Sequence, residues 1–469
     1  ATGAWVNFNI ASGQSVTANG SLTLSGDNAL SINTGTLVAN GDIVITNSSS
    51  NSGGSATVRI AGSGNQSLTG QGTFGVGSLP NVIVSKPSGT LSLLSYITVK
   101  GPLWNLASGV LSPGTSTVCF YNTGTVFTIS GTQTLSAVMF YGNYSSHNIS
   151  NSLTTTGNCT VDASQNTNLN VSTDLTVNGT LYLTGSGYFK LNTGNVNVKG
   201  DVRDLNTNTA GCGGTASFLI NGTSSQNIFG SSSMYQGAFP PFIVNKSSGT
   251  LNLIGYLNFY YGFTWVAGTV NPGSSTCVFT NLAALGSQTV DAAPTGISFY
   301  DVIFDQPDYT WTYLKTGIKC LGSVTITAGS GIRPNNNTFT LAGNFTSLNT
   351  TATGASQVIY GGTGLSLVLN GTTAQTITSN NPGGSTNKFF VYDLTLNNTA
   401  ARVNNDDIYP ADILTVAHSA SLLSGKMLTG NTAYLSLKDG ASINTGNSSS
   451  FVNGPMRYEM AASATRTLN

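Results

Sequence analysis

The stretch Ile83-Val84-Ser85-Lys86-Pro87-Ser88-Gly89-Thr90-Leu91-Ser92-Leu93 returns 160 residues later as Ile243-Val244-Asn245-Lys246-Ser247-Ser248-Gly249-Thr250-Leu251-Asn252-Leu253. Both copies alternate apolar with small polar residues. Every second side chain then falls on one face, as in a strand with one buried side. Landmarks around them keep nearly the same offset: Asn33-Thr34-Gly35 with Asn192-Thr193-Gly194, Gly41-Asp42 with Gly200-Asp201, and Ser112-Pro113-Gly114 with Asn271-Pro272-Gly273. So regular an offset marks a duplication. A third, more divergent copy starts near Asn337, where Leu369-Asn370-Gly371-Thr372 resembles Ile220-Asn221-Gly222-Thr223. The expected copies are 1–177, 178–336 and 337–469.

Shorter alternating segments run throughout, among them Ser21-Leu22-Thr23-Leu24, Thr57-Val58-Arg59-Ile60, Thr180-Leu181-Tyr182-Leu183 and Ser366-Leu367-Val368-Leu369. Turns such as Asn178-Gly179, Asn221-Gly222 and Asn370-Gly371 separate them and supply residues that tolerate positive φ. No extended 3.6-residue apolar period suggests a helix. A further element, Gln followed two positions on by an aliphatic residue, recurs at Gln66, Gln133, Gln226, Gln288 and Gln375. The Gln amide either bonds the backbone of the next coil, about 4.8 Å away, or is a recurrent turn residue.

Strands this short fit a parallel β-helix, a sandwich array or a propeller. The long period does not divide into equal four-stranded blades, and no Pro-rich or charged linker lies near Asn178 or Asn337. The expected fold is all-β: an elongated right-handed parallel β-helix, or β-solenoid, built from internal repeats of about 160 residues. With roughly 20 to 25 residues per coil it has about twenty coils.

Charged residues are 7% of the 469, against about 25% in an average soluble protein, and 16 basic residues balance 16 acidic ones. Such a chain has no field to draw nucleic acid or an anionic membrane. Hydrophobic residues reach 39%, which excludes a disordered linker. No run approaches the roughly 18 to 20 apolar residues of a membrane span. The chain opens at Ala1 with no initiator Met and no leader, as expected of a mature exported chain or an internal fragment.

The strings Gly62 to Gly70, Gly222 to Gly230, Leu394 to Asn398 and the two Ser-Gly-Thr-Leu stretches at Ser88 and Ser248 resemble repeats of large cell-surface proteins of the Bacteroidota, many of them type IX secretion cargo. The segment Phe451-Val452-Asn453-Gly454-Pro455-Met456-Arg457 is similar to one that leads, in that family, toward a secretion-targeting domain. No such domain follows before Asn469. The resemblance implies an extracellular, surface-attached or released role in adhesion, motility or matrix building.

Chemistry is sparse. His147 and His418 have no Ser-Asp or metal-type companion nearby in sequence, and no nucleophile elbow or phosphate loop is present. Asp301 and Asp305, with Asp308 beyond, share one strand face about 13 Å apart. That exceeds the roughly 5 to 9.5 Å of paired glycosidase carboxylates, so a solvated face is expected. Asp406, Asp407 and Asp412 form a weak calcium candidate whose spacing matches no standard loop. Tyr309, Trp311 and Tyr313 alternate opposite Thr310, Thr312 and Leu314. Core placement is the preferred reading, since large aromatics dominate cores, and a sugar-stacking strip is the alternative. The aromatic stretch from Tyr256 to Trp265 is read the same way. Five cysteines leave at least one unpaired. Cys119 and Cys159 invite a disulfide matched by Cys277 and Cys320, although the Pro-Gly landmarks set Cys119 opposite Val278 and Cys277 opposite Val118.

The expected function is therefore an extracellular structural or adhesive protein, a stalk or self-assembling filament subunit. No catalysis and no cofactor are expected. The alternatives are a carbohydrate-binding module on a β-helix and, behind it, a polysaccharide lyase or glycosidase. Expected partners are copies of itself, packed end to end or laterally, and extracellular glycans or cell surfaces.

Overall fold

The computed structural model describes residues 5–209, 211–280, 288–292, 298–305, 311–327, 331–348, 365–379, 389–399, 407–410 and 413–460. Among them are strands and turns and no helix, hence no helix long and apolar enough to cross a membrane. Parallel strands stack as a β-solenoid of about 18 turns of about 22 residues. The structural repeat is thus the single coil, not a 160-residue block; the sequence offset spans about seven coils. Two compact units are present, one holding most residues up to Ser231 and the other most residues from Thr250 onward.

In the first unit a representative coil has three strands, Ser145–Ile149, Leu153–Thr155 and Cys159–Asp162, before the next coil begins at Thr167–Val171. Register is strict: Ser145 pairs with Thr167, Leu153 with Leu175 and Cys159 with Leu181. Alternation makes one inner row of Phe120, Phe140, Val161 and Leu183, each fully buried. Each such side chain contributes about 1.5–3 kcal/mol by leaving water. The second unit builds an equivalent row from Phe259, Phe279 and Phe304, with ring centroids 5.4 and 5.6 Å apart.

The Asn-Gly turns have a different cause from the expected positive φ. Gly179, Gly222 and Gly371 all lie outside the left-handed region. A Cβ on Gly179 would come within 2.5 Å of the Gly157 backbone, one on Gly222 within 2.1 Å of Lys199 O, and one on Gly371 within 2.6 Å of Ala342 O. Glycine is required there because the preceding coil's backbone fills the space.

The recurrent glutamines join coils. Gln66 Nε2 donates to Ala39 O at 3.2 Å and Gly41 O at 2.6 Å, Gln226 Nε2 to Val198 O and Gly200 O, and Gln375 Nε2 to Leu341 O and Gly343 O. These three amides, and that of Gln288 through Phe259 O, bond the backbone of the neighbouring coil. Gln133 Nε2 instead donates to Ser130 O close by in sequence, and its Oε1 accepts Trp104 Nε1–H. The glutamines do not form a continuous ladder. The outer face of strands Ser145–Ile149, Thr167–Val171 and Phe189–Asn192 carries an asparagine ladder instead. There Asn170 Nδ2 donates to Asn148 Oδ1 at 2.7 Å, and Asn192 Nδ2 to Asn170 Oδ1 at 3.2 Å.

Candidate functional site

Of the residues singled out in the sequence, Asp308, Tyr309, Asp406 and Asp412 lie outside the described residues, as do the side chains of Trp311 and Asp407. Tyr313 is half-buried, whereas Thr312 and Leu314 are fully buried. This reverses the facing expected for Thr312, Tyr313 and Leu314 in the strand Trp311–Leu314. Register decides it, because Thr312 pairs with Gln288 and Leu314 with Val290, both inward. Arg333 Nη1 donates to Tyr313 OH at 3.0 Å, with its guanidinium 5.2 Å from the ring centroid. In the Tyr256 to Trp265 stretch, Phe259, Tyr260 and Phe263 belong to the core.

The carboxylates tie one coil to the next. Asp301 Oδ1 accepts Ser323 N–H at 2.6 Å, while Asp305 accepts the hydroxyls of Thr327 and, at 3.3 Å, Thr280. Among the described residues no group of three or more His, Cys, Asp or Glu is placed to hold a metal ion. His418 gains a companion invisible in local sequence: its Nδ1 lies 2.8 Å from Asp393 Oδ1, and Tyr392 stacks on its ring at 4.7 Å. Burial alone would push the Asp393 carboxyl up. Hydrogen bonds from Ser419, His418 and Ser366 outweigh it and hold the carboxyl below its ordinary value. Both serines donate to Asp393, so this constellation is not arranged as a nucleophilic triad.

All five cysteines are buried and free. Cys119 pairs with Met139, which pairs with Thr160, so Cys159 lies two strands away and one residue out of register. Two strand spacings, about 9.6 Å, exceed the roughly 7 Å reach of a disulfide. Cys277 faces the core in the row of Leu257 and Val302, while Cys119 lies in the row of Thr98 and Met139, on the outer side. The one-residue slip between the copies is thus present in the fold.

The richest arrangement is on the outer face of the first unit's strands Thr117–Thr123 and Ala137–Asn143. Tyr121 pairs directly with Tyr141, and their rings stack with centroids 4.5 Å apart at 21°. Lys100 stands on the preceding coil with its ammonium 4.7 Å from the Tyr121 centroid and bonded to Ser50 O. Asp162 follows Tyr141 on the other side. Burial raises the Tyr121 hydroxyl, with Tyr141 adding to the effect, and lowers Lys100. Phe74 comes over this row from a turn, 5.8 Å from Tyr121 and 5.1 Å from Tyr141. An open cleft of about 440 Å³ results, with Tyr121 and Lys100 half-buried in it. The exposed rings of Trp5 (61%) and Phe74 (41%) stand at its rim, with Ser50 and Asn51 beside them.

The second copy does not repeat this cleft. At the offset of 159 to 160, Phe74 corresponds to Met234, Lys100 to Tyr260 and Tyr121 to Thr280. The partner of Thr280 is Asp305 where Tyr121 has Tyr141. Buried Gln66 and Lys86 recur as buried Gln226 and Lys246, while this outer site differs. Local sequence reading missed the site because each member comes from a different coil. The usable signal was an aromatic recurring near the coil period, at 74, 96, 121 and 141. No protein-family model, no curated protein and no solved structure matches this chain.

Proposed function

We propose that this chain is an extracellular structural and adhesive protein, without catalysis, that holds carbohydrate on the outer face of its solenoid. The observation that carries the reading is the cleft of Trp5, Phe74, Lys100 and Tyr121. Exposed aromatic faces stack on the apolar faces of sugar rings, while an ammonium, the Asn51 amide and the Ser50 hydroxyl can bond ring hydroxyls. The nearly uncharged, Asn- and Thr-rich remainder suits a surface that neither attracts nucleic acid nor repels its own copies. The resemblance to Bacteroidota surface repeats points the same way. A glycan array with the purified chain tests the reading. Binding to at least one polysaccharide class, reduced in Trp5→Ala, supports it, and no binding to any class overturns it.

A second reading, addition of copies into a homopolymer, is favoured by strand Trp5–Asn9. All its residues are exposed, with Val6 and Phe8 at 49% and 42%, and among the described residues it pairs only with Ala29–Asn33. Such an edge is a template for another strand. Concentration-dependent filaments in negative stain, blocked by Phe8→Asp, support this reading. Isolated particles at every concentration contradict it.

A further inference from the structure

The aromatic cleft ends at Thr123, and a second cleft of about 320 Å³ begins at the next residue, Gly124. Its walls include Tyr144, Asn166 and Tyr188, with Ser146 and Asn168 beside them. These three wall residues stand at the same corner of three successive coils. Ser145 N donates to Asn166 O at 3.2 Å, Thr167 N to Tyr188 O at 2.9 Å, and Tyr188 N to Asn166 Oδ1 at 3.2 Å. The backbones of the two tyrosines are therefore two coils apart, about 9.6 Å at a strand spacing of about 4.8 Å, with Asn166 on the coil between them. A flat aromatic ring sandwiched at contact distance needs only about 7 to 8 Å. A puckered pyranose, thickened by its axial hydrogens, fits the wider slot better.

Tyr144 itself is the second observation. Its φ is +52°, in the left-handed region that a bulky side chain adopts only under strain. Yet the residue is 67% exposed, so burial does not offset that strain. At the corresponding corner of the preceding coil the residue is Gly124, with φ +81°. Strained residues cluster at functional positions, and here the strain holds a ring out into solvent beside the cleft. None of the side chains lining the cleft is charged, and they offer amides and hydroxyls. Lys190, 5.1 Å from the Tyr188 centroid, steadies that ring.

We infer that the corner cleft seats one neutral pyranose residue between Tyr144 and Tyr188, and that this residue belongs to the same glycan held in the aromatic cleft. The ligand is then an oligosaccharide crossing the Thr123–Gly124 corner. This inference rests on the carbohydrate reading above.

Calorimetric titration with neutral oligosaccharides of increasing length tests it on three proteins: wild type, Tyr144→Gly and Phe74→Ala. Glycine relieves the φ strain, so Tyr144→Gly should melt at the same temperature as wild type or higher, which separates binding from folding. Its affinity for the longer oligosaccharides should fall about tenfold, the worth of one lost ring contact. If Tyr144→Gly binds like wild type while Phe74→Ala loses binding, the corner inference falls and the carbohydrate reading stands. If neither variant changes binding, or no oligosaccharide binds, the carbohydrate reading itself fails. Aromatic peptides perturbing the Tyr144 ring resonances where oligosaccharides do not would also overturn the inference.

Discussion

Lys86 Nζ donates to Gln66 Oε1 at 2.6 Å, and 160 residues later Lys246 Nζ donates to Gln226 Oε1 at the same distance. Both ammonium groups also bond two backbone carbonyls of the neighbouring coil: Gly62 and Gly64 in the first case, Gly222 and Ser224 in the second. Both lysines are 1% exposed, and burial lowers both ammonium groups. At Gln375, Asn398 takes the lysine's place, its Nδ2 donating to Thr373 O and Gln375 Oε1. The duplication seen in the sequence is therefore also a duplication of a buried polar clip.

Replacing Lys86 by Met keeps the apolar stem and removes three donated hydrogen bonds. Two buried acceptors, Gly62 O and Gln66 Oε1, and the part-buried Gly64 O lose a donor, and destabilisation of about 2–4 kcal/mol is expected. Urea denaturation followed by circular dichroism measures it. A loss below about 0.5 kcal/mol would show that water satisfies the carbonyls.

Asp204 is an acid in an apolar row: its register partner is Leu183, and the first copy has Ile45 at the same place. Burial pushes its carboxyl up to about 8 from 3.8, opposed only partly by the Asn206 N–H. Between about pH 4 and 8 the folded chain keeps a proton that the unfolded chain has lost. Stability therefore falls as pH rises through that window and levels off above it. Asp204→Ile should remove most of this slope and add a few kcal/mol at pH 9, with much less gain at pH 4. Equal gains at both pH values would contradict the assignment.

His147 works in the opposite direction. It is fully buried, stacked near Phe127, with Nε2 on Phe120 O at 2.9 Å. Burial holds it down to about 4, against the raising effect of that carbonyl. Between about pH 6.5 and 4 the unfolded chain takes up a proton that the folded chain refuses. This stability is present in full above the upper value and lost as pH falls. His147→Leu should flatten the acid side of the stability curve, at a cost of about 1 kcal/mol at pH 7 for the orphaned Phe120 carbonyl.

The thiols give a direct check on the fold. Burial pushes Cys119, Cys159, Cys212 and Cys277 up to about 12, and Cys320 also well above its ordinary value. Iodoacetamide at pH 8 should label none in the native protein and all five in urea without reductant, as read by intact mass. A mass showing fewer than five labels in urea would mean that disulfides form.

The coil architecture was legible because inward alternation is local: Thr57–Ile60 and Ser366–Leu369 are strands with the bounds their pattern suggested. Facing was less legible. Thr312 turned inward and Tyr313 outward, since cross-coil register overrides side-chain size. The candidate cleft and the His418–Asp393 pair were hidden for one shared reason. Their members lie one to two coils apart, and sequence proximity does not report contact between coils.

Affinity electrophoresis in gels containing polysaccharide probes the first copy's aromatic cleft, by comparing Phe74→Ala with Met234→Ala at the equivalent place in the second copy. Wild type and Met234→Ala should be retarded by the polysaccharide the chain binds, and Phe74→Ala should migrate freely. Equal retardation of the two variants would contradict a carbohydrate site confined to the first copy's outer face.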